Sequence, residues 1–183
     1  ALVASISGSN NATCNGVCDG DATGSAAGGT GPFTYLWDDP GAQNTTTATG
    51  LCAGTYDFAV TDANVCTDTA TIVITDPTAL VASISAFNDA SCNGFCDGDA
   101  TASGAGGTGS YTYLWDDPTA QTNALATALC AGTYSCTITD ANGCVDTIVQ
   151  IIGEPTAIIL TMGSVDATCG VSNGEVSVSA AGG

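Results

Sequence analysis

Apolar and polar residues alternate with a period of two along most of this chain, and no segment keeps a helical period. Leu2, Ala4 and Ile6 face one way while Val3, Ser5 and Ser7 face the other. A long cysteine-bearing loop follows, then an alternating strand near Asp21 to Ala27. Gly28-Gly29-Thr30-Gly31 turns into Phe33-Thr34-Tyr35-Leu36-Trp37, and Asp38-Asp39-Pro40-Gly41 turns again before a Thr-rich segment that runs to Leu51. A strand over Thr55 to Thr61, the hairpin turn Asp62-Ala63-Asn64 and a last strand from about Cys66 to Thr75 complete the pattern. Six or seven short strands with regularly spaced turns, and with aromatic residues on the middle strands, predict an all-β sandwich.

The whole pattern then repeats. Residues 1–78 align with 79–156 without a gap, and a third copy starts at Ala157. Ala1-Leu-Val-Ala-Ser-Ile-Ser7 returns as Ala79-Leu-Val-Ala-Ser-Ile-Ser85, and the third copy keeps the same apolar face as Ile158, Leu160 and Met162. About two thirds of the aligned positions are identical, and the period exceeds that of a solenoid coil, so each copy reads as a small domain. The matching elements Asp76-Pro77-Thr78 and Glu154-Pro155-Thr156 mark the joints, because proline ends ladder pairing. This divides the chain into sandwich repeats over 1–76 and 77–154 and the start of a third over 155–183. Joints this short predict a stiff string. Leu51-Cys52-Ala53-Gly54-Thr55-Tyr56, which returns as Leu129 to Tyr134, has the form of a tyrosine corner. It specifies tandem immunoglobulin-like, or fibronectin-type, β-sandwich repeats.

Charge changes the picture more than length does. The chain has no Lys, Arg or His against 16 Asp and 2 Glu, a net charge of −18. Nothing here can neutralise nucleic-acid phosphates or be drawn to an anionic membrane. Catalysis loses its commonest general base and its cationic clamps, and no nucleophile–base pair exists. The best remaining carboxylate pair, Asp38 and Asp39, is adjacent in a turn and cannot flank a glycosidic bond. The chain reads as a non-enzyme. With few aromatic residues and a copy length near the margin of stability by burial alone, the ten cysteines read as disulfide staples made in an oxidising compartment. A reduced zinc site is disfavoured, because Cys14-x-x-x-Cys18 and the Cys52–Cys66 gap lack paired short knuckles.

Cys-Asn-Gly, Asp-Gly, Gly-Gly-Thr-Gly, Tyr-x-Trp, Leu-x-Ala-Gly-Thr-Tyr and Thr-Asp-Ala-Asn-Gly-Cys, in that order, resemble the SprB repeat of long cell-surface adhesins in gliding Bacteroidota. Both full copies carry the string, and the third matches as far as it runs. Cys18 or Cys96 and Cys52 or Cys130 look like additions to the usual pattern. The resemblance implies export by the type IX route, a cell-surface location, a role in attachment or surface movement, and no catalytic residues. Neighbouring repeats of the same polypeptide are then the first partners expected.

Four cysteines per copy allow three pairings. The third copy keeps Cys169 but lacks a counterpart of Cys18, which argues against a Cys14–Cys18 bond. Cys52–Cys66 would have to bridge the length of a strand. The favoured set is Cys14–Cys66 with Cys18–Cys52, repeated as Cys92–Cys144 with Cys96–Cys130; the crossed pairing stays open. Cys136 is left over as a buried free thiol at the position of Phe58, with an inter-chain link as the alternative. Asp19, Asp21, Asp38 and Asp39, with Asp97, Asp99, Asp116 and Asp117, are candidate calcium ligands if alternate loops gather at one end. Asp-Gly and Asp-Pro turn chemistry is the favoured reading of these positions, with calcium the alternative. No cofactor is required. Asp68-Thr69-Ala70 and Asp146-Thr147-Ile148 mark Thr69 and Thr147 as O-glycosylation candidates, and the sequons at Asn11 and Asn44 do not recur. Three functional readings follow: a structural and adhesive repeat, a calcium-dependent glycan- or receptor-binding module, and a self-assembling filament subunit completed by strand addition.

Overall fold

The six strands of the first copy form two three-stranded antiparallel sheets, and the second copy builds the same pair again. The structure is a computed structural model describing residues 1–183. In the first copy the strands are β1 (Val3–Asn10), β2 (Gly20–Ala27), β3 (Thr34–Trp37), β4 (Thr47–Leu51), β5 (Gly54–Thr61) and β6 (Thr67–Ile74). One sheet has the order β1-β2-β4 and the other β3-β5-β6. In the second copy β7 (Val81–Asn88), β8 (Gly98–Ala105), β9 (Thr112–Trp115), β10 (Leu125–Leu129), β11 (Gly132–Thr139) and β12 (Val145–Ile152) give β10-β8-β7 and β12-β11-β9. β13 (Ile159–Val165) and β14 (Glu175–Ala181) form a hairpin in the third.

Alternation places the core. Ala22, Trp37, Ala48, Leu51, Tyr56, Phe58, Val60 and Ile74 are buried together, and Leu2, Ala4 and Ile6 of β1 pack on that cluster. The Ala4 amide also donates to Asp68 Oδ2 on β6 at 2.8 Å, which ties the two sheets together at their edge. Both buried indoles are satisfied: Trp37 Nε1 donates to the Thr45 carbonyl and Trp115 Nε1 to that of Asn123, each at 3.1 Å. The tyrosine corners form, with Tyr56 Oη donating to the Cys52 carbonyl at 3.1 Å and Tyr134 Oη to that of Cys130 at 3.2 Å.

Proximity groups the chain into two compact units. The first comprises Ala1–Val81 with Ala105–Tyr111 and Thr139–Asp146; the second comprises Ala82–Gly104, Thr112–Ile138 and Thr147–Gly183. Two turns of the second copy therefore belong to the first unit.

The cysteines give the main correction. Cys14 is bonded not to Cys66 but to Cys144, 130 residues away, with Cα atoms 5.7 Å apart. The expected Cys92–Cys144 bond is consequently absent as well, and Cys66 and Cys92 are free and exposed. Topology explains this. The loop bearing Cys14 is fastened to the end of β6, where the Ala12 amide donates to the Thr75 carbonyl at 3.0 Å. Cys66 precedes the start of β6, nine residues back along an extended chain. That span is roughly 30 Å, far beyond the ~4.4–6.8 Å between the Cα atoms of a disulfide. The same geometry separates Cys92, whose loop is held at Gly153, from Cys144. Cys18–Cys52 and Cys96–Cys130 are present. Gly20 pairs with Leu51 in the β2–β4 ladder, so the residues just outside that pair meet.

Candidate functional site

The chemistry-bearing residues fall into a cysteine loop, a set of acidic turns and a cysteine-bearing hairpin turn, each built by its own backbone. In the cysteine loop, Asp19 accepts from the Thr13 amide at 2.8 Å and from the Thr13 hydroxyl. These bonds hold its carboxyl below the ordinary range. Asn15 Nδ2 donates to Asp76 Oδ2 at 3.2 Å and to the Pro77 carbonyl at 3.0 Å, while the Gly16 amide donates to Asp76 Oδ2 at 2.8 Å. Gly16 has a positive φ of 72°, which a side chain would strain. In the second copy Asn93 and Gly94 make the same clamp on Glu154, at 2.8 and 2.7 Å, so the longer carboxylate substitutes for Asp76. Asp97 accepts from Ser91 as Asp19 does from Thr13, and is lowered in the same way.

The hairpin turns are equally alike. Asp62 Oδ1 accepts from the amides of Asn64 and Cys66 at 2.9 Å each, and Oδ2 from that of Thr30 at 3.1 Å. Asp140 does the same with Asn142, Cys144 and Thr108. Bonds to Cys66 and Thr108 respectively contribute most to holding these carboxyls low. The turn at Asp140 also reaches the first copy's cysteine loop: Asn142 Nδ2 donates to the Thr13 carbonyl at 2.9 Å, beside the Cys14–Cys144 bond.

The calcium candidates are engaged locally. Asp39 accepts from the amides of Gly41 and Gln43 at 2.9 Å each and from Gln43 Nε2 at 3.1 Å. Burial pushes its carboxyl up, but these bonds outweigh it and leave it lowered. Asp117 accepts from the amide and hydroxyl of Thr119 and from Gln121; here too burial opposes, and the bonds prevail, at about 2. Asp38 accepts from the Asp57 amide and Asp116 from the amide and hydroxyl of Ser135. Asp21 accepts from Asn10 and Asp99 from Asn88. No three acidic or cysteine side chains are gathered so as to hold one metal ion. Thr69 and Thr147 are exposed on β6 and β12. Cys136 is a buried free thiol, and burial raises its pKa. Sequence reasoning missed the Cys14–Cys144 bond. Counting strand reversals alone would put the loop after β1 and the turn before β6 at the same end; β3 and β4 run in the same direction, which sends them to opposite ends.

The SprB repeat family model matches residues 7–42 and 84–120. No curated protein matches the sequence. Among solved structures, the three N-terminal domains of the bacteriophage RB49 highly immunogenic outer capsid protein are similar at a TM-score of 0.54 and 18% identity, over 100% of this chain and 70% of that one. Domains 4–9 of the surface layer protein SbsC reach 0.33 at 12% identity, over 98% and 36% of the two chains. A tetra-tandem repeat from the extending region of a large adhesion protein reaches 0.30 at 13%, over 98% and 62%. The first of these supports the fold.

Proposed function

This chain carries SprB repeats, and from that premise we propose that it is a structural and adhesive module of a long extracellular, cell-surface fibre serving attachment and surface movement. The observation that carries the reading is the covalent link between the Cys14 loop of one copy and the Cys144 turn of the next, made by a chain whose own two copies are near-identical sandwiches. A bond of this kind adds mechanical continuity to an array and does nothing for a solitary binding domain. It also requires an oxidising compartment, as do Cys18–Cys52 and Cys96–Cys130. The all-acidic surface keeps such a fibre from associating nonspecifically. The expected partners are neighbouring repeats.

Protease treatment of intact producing cells, followed by thiol mapping of the released fragments, tests this. The module should be cleaved from the surface with Cys14, Cys18 and Cys52 oxidised. Native protein that is protected from the protease with all ten thiols reduced would overturn the reading.

A second reading is a filament subunit completed by strand addition onto the β13–β14 hairpin. Ile158, which leads into it, and its residues Leu160, Met162, Val176 and Val178 are all exposed, although Leu2, Ala4 and Ile6, the equivalents of the first three, pack on a core. Such a face takes cover either from later strands of its own copy or from another chain. Mass measurement of the native protein separates the two: one very long polypeptide supports tandem beads, and a subunit near 17.8 kDa supports assembly.

A further inference from the structure

We infer that the exposed Cys92 lies in a preformed docking groove for the Asp-Ala-Asn-x-Cys turn of a following copy, and that the two are joined there by a disulfide. The inference deepens the fibre reading and rests on it, because it needs successive copies in one oxidised chain. Its basis is that the groove exists twice, once with the Cys144 turn as one wall and once without such a turn. In the first unit Cys14, Asn15, Ala79 and Leu80 line a groove whose other wall is the segment Gly143, Cys144 and Val145. The residues one period on, Cys92, Asn93, Ala157 and Ile158, line a groove of the second unit. No hairpin turn forms a wall of this second groove, and Cys92 is a free, exposed thiol.

The second groove is built as firmly as the first. Asn93 and Gly94 are clamped by Glu154 as Asn15 and Gly16 are by Asp76, and Ser91 is fixed by Asp97 as Thr13 is by Asp19. The Ser91 carbonyl therefore stands where the Thr13 carbonyl accepts from Asn142. The occupant has the chemistry of the turn already seen at Cys144: an aspartate that folds the turn on its own amides, an asparagine side-chain amide that donates to Thr108 Oγ1 and to the Thr13 carbonyl, and a thiol two residues later. The turn ending in Cys66 is a second example, with Asp62 and Asn64 in the same roles and its thiol free.

Bond formation is an oxidation. The Cys92 thiolate attacks an acceptor disulfide, such as oxidised glutathione or the disulfide form of an oxidant of the export compartment, and expels one thiolate. The turn's thiolate then attacks the Cys92 sulfur and expels the second. Two electrons pass to the acceptor, and the two protons released by the cysteines end on its two thiols.

The test inserts residues 1–78 between Thr156 and Ala157 and changes the original Cys66 to serine, so that any Cys66 peptide comes from the inserted copy. After refolding in a glutathione redox buffer, the protein is digested at aspartate, since it has no tryptic site, and mapped without reduction. A Cys92 peptide joined to the Asp62–Thr67 peptide is the expected product. Cys14–Cys144 in the same digest reports that the chain has folded; its presence with Cys92 unlinked, or linked to Cys169, overturns the inference. A second measurement uses the unaltered chain and a synthetic peptide of residues 62–67 in the same redox buffer. Mixed disulfide should form at Cys92 at least ~10-fold in excess of Cys169, and a peptide carrying Asn64→Ala should lose that preference. Equal labelling of the exposed thiols overturns the inference. Either failure leaves surface exposure of the module untouched, so it is distinguishable from failure of the fibre reading.

Discussion

The two complete copies fill the same core with different side chains. In the first, Phe58 lies between Tyr35 and Trp37, with ring centroids 5.6 and 4.8 Å away, and the strand opposite carries Gly24. A Cβ built on Gly24 would sit 2.3 Å from the Phe58 ring. In the second copy the equivalents are Cys136 and Ala102, both buried, and Ile138 replaces Val60. The aromatic ring is lost where the methyl groups are gained. What the chain keeps is therefore the filled volume between two sheets, not any one residue, and the register of the strands survives a Phe-to-Cys exchange because its neighbours change with it.

The largest expected effect comes from breaking that coupling. Phe58→Cys in the first copy leaves a cavity against Gly24 and should cost about 3 kcal/mol or more. Gly24→Ala alone drives a methyl into the ring and should cost about 1–3 kcal/mol. The double variant should be more stable than the sum of the two predicts, since the methyl then enters the vacated space. In the second copy Cys136→Phe should be destabilising until Ala102→Gly accompanies it. Hydrogen exchange of β5 against β11 in denaturant reads each copy separately. Additive single effects would show that the two positions are independent, and would remove the coupling from the comparison.

Much of this was legible in the sequence, and the boundary of legibility is physical. Alternation gave the six strands of each copy to within a few residues, because burying one face of a sandwich demands a period of two. Cys18–Cys52 was favoured over a crossed pairing that elimination left open, and it lies just outside the Gly20–Leu51 pair. The Cys14 partner did not follow, since elimination assumed that each copy closes on itself. Every residue of the true bond is in the sequence, but its logic lies in which end of a sandwich each loop occupies. The acidic positions were ambiguous for another reason: a carboxylate that caps a turn and one that binds a cation occupy the same Asp-Gly and Asp-Pro contexts.

A smaller difference between the copies is expected in acid. Asp39 and Asp117 cap equivalent turns, but Gly41 of the first copy is Thr119 in the second, which adds a hydroxyl donor to the carboxylate. Both carboxyls are depressed in the folded state below the ordinary value of 3.8, Asp117 to about 2. A depressed carboxyl stabilises the fold fully above its unfolded pKa and loses that contribution as pH falls through the folded one. Between about pH 4 and 2 the turn of the first copy should therefore loosen before that of the second. Thr119→Gly should bring the two together. Amide exchange at Gln43 and Gln121 against pH checks this, and simultaneous loss in the native chain would mean that the hydroxyl contributes nothing.

The smallest expected effect concerns cations, where the copies should not differ at all. Eighteen acidic side chains without one basic side chain repel each other more in the folded chain than in the unfolded one, so any salt should stabilise by screening over roughly 8 Å at physiological strength. A specific calcium site would add a saturable stabilisation beyond that. The oxygens of Asp39 and Asp117 accept from amide donors of their own turns, and Asp38 and Asp116 each accept from β5 or β11. A cation would have to break those bonds before it gained its own ligands. Thermal melts in millimolar calcium should thus superimpose on melts in sodium of matched ionic strength, and Asp38→Asn with Asp39→Asn should shift both salts alike. A calcium-specific rise that this double variant abolishes in the first copy but not the second would instead place a metal at the Asp38–Asp39 turn and its counterpart at Asp116–Asp117.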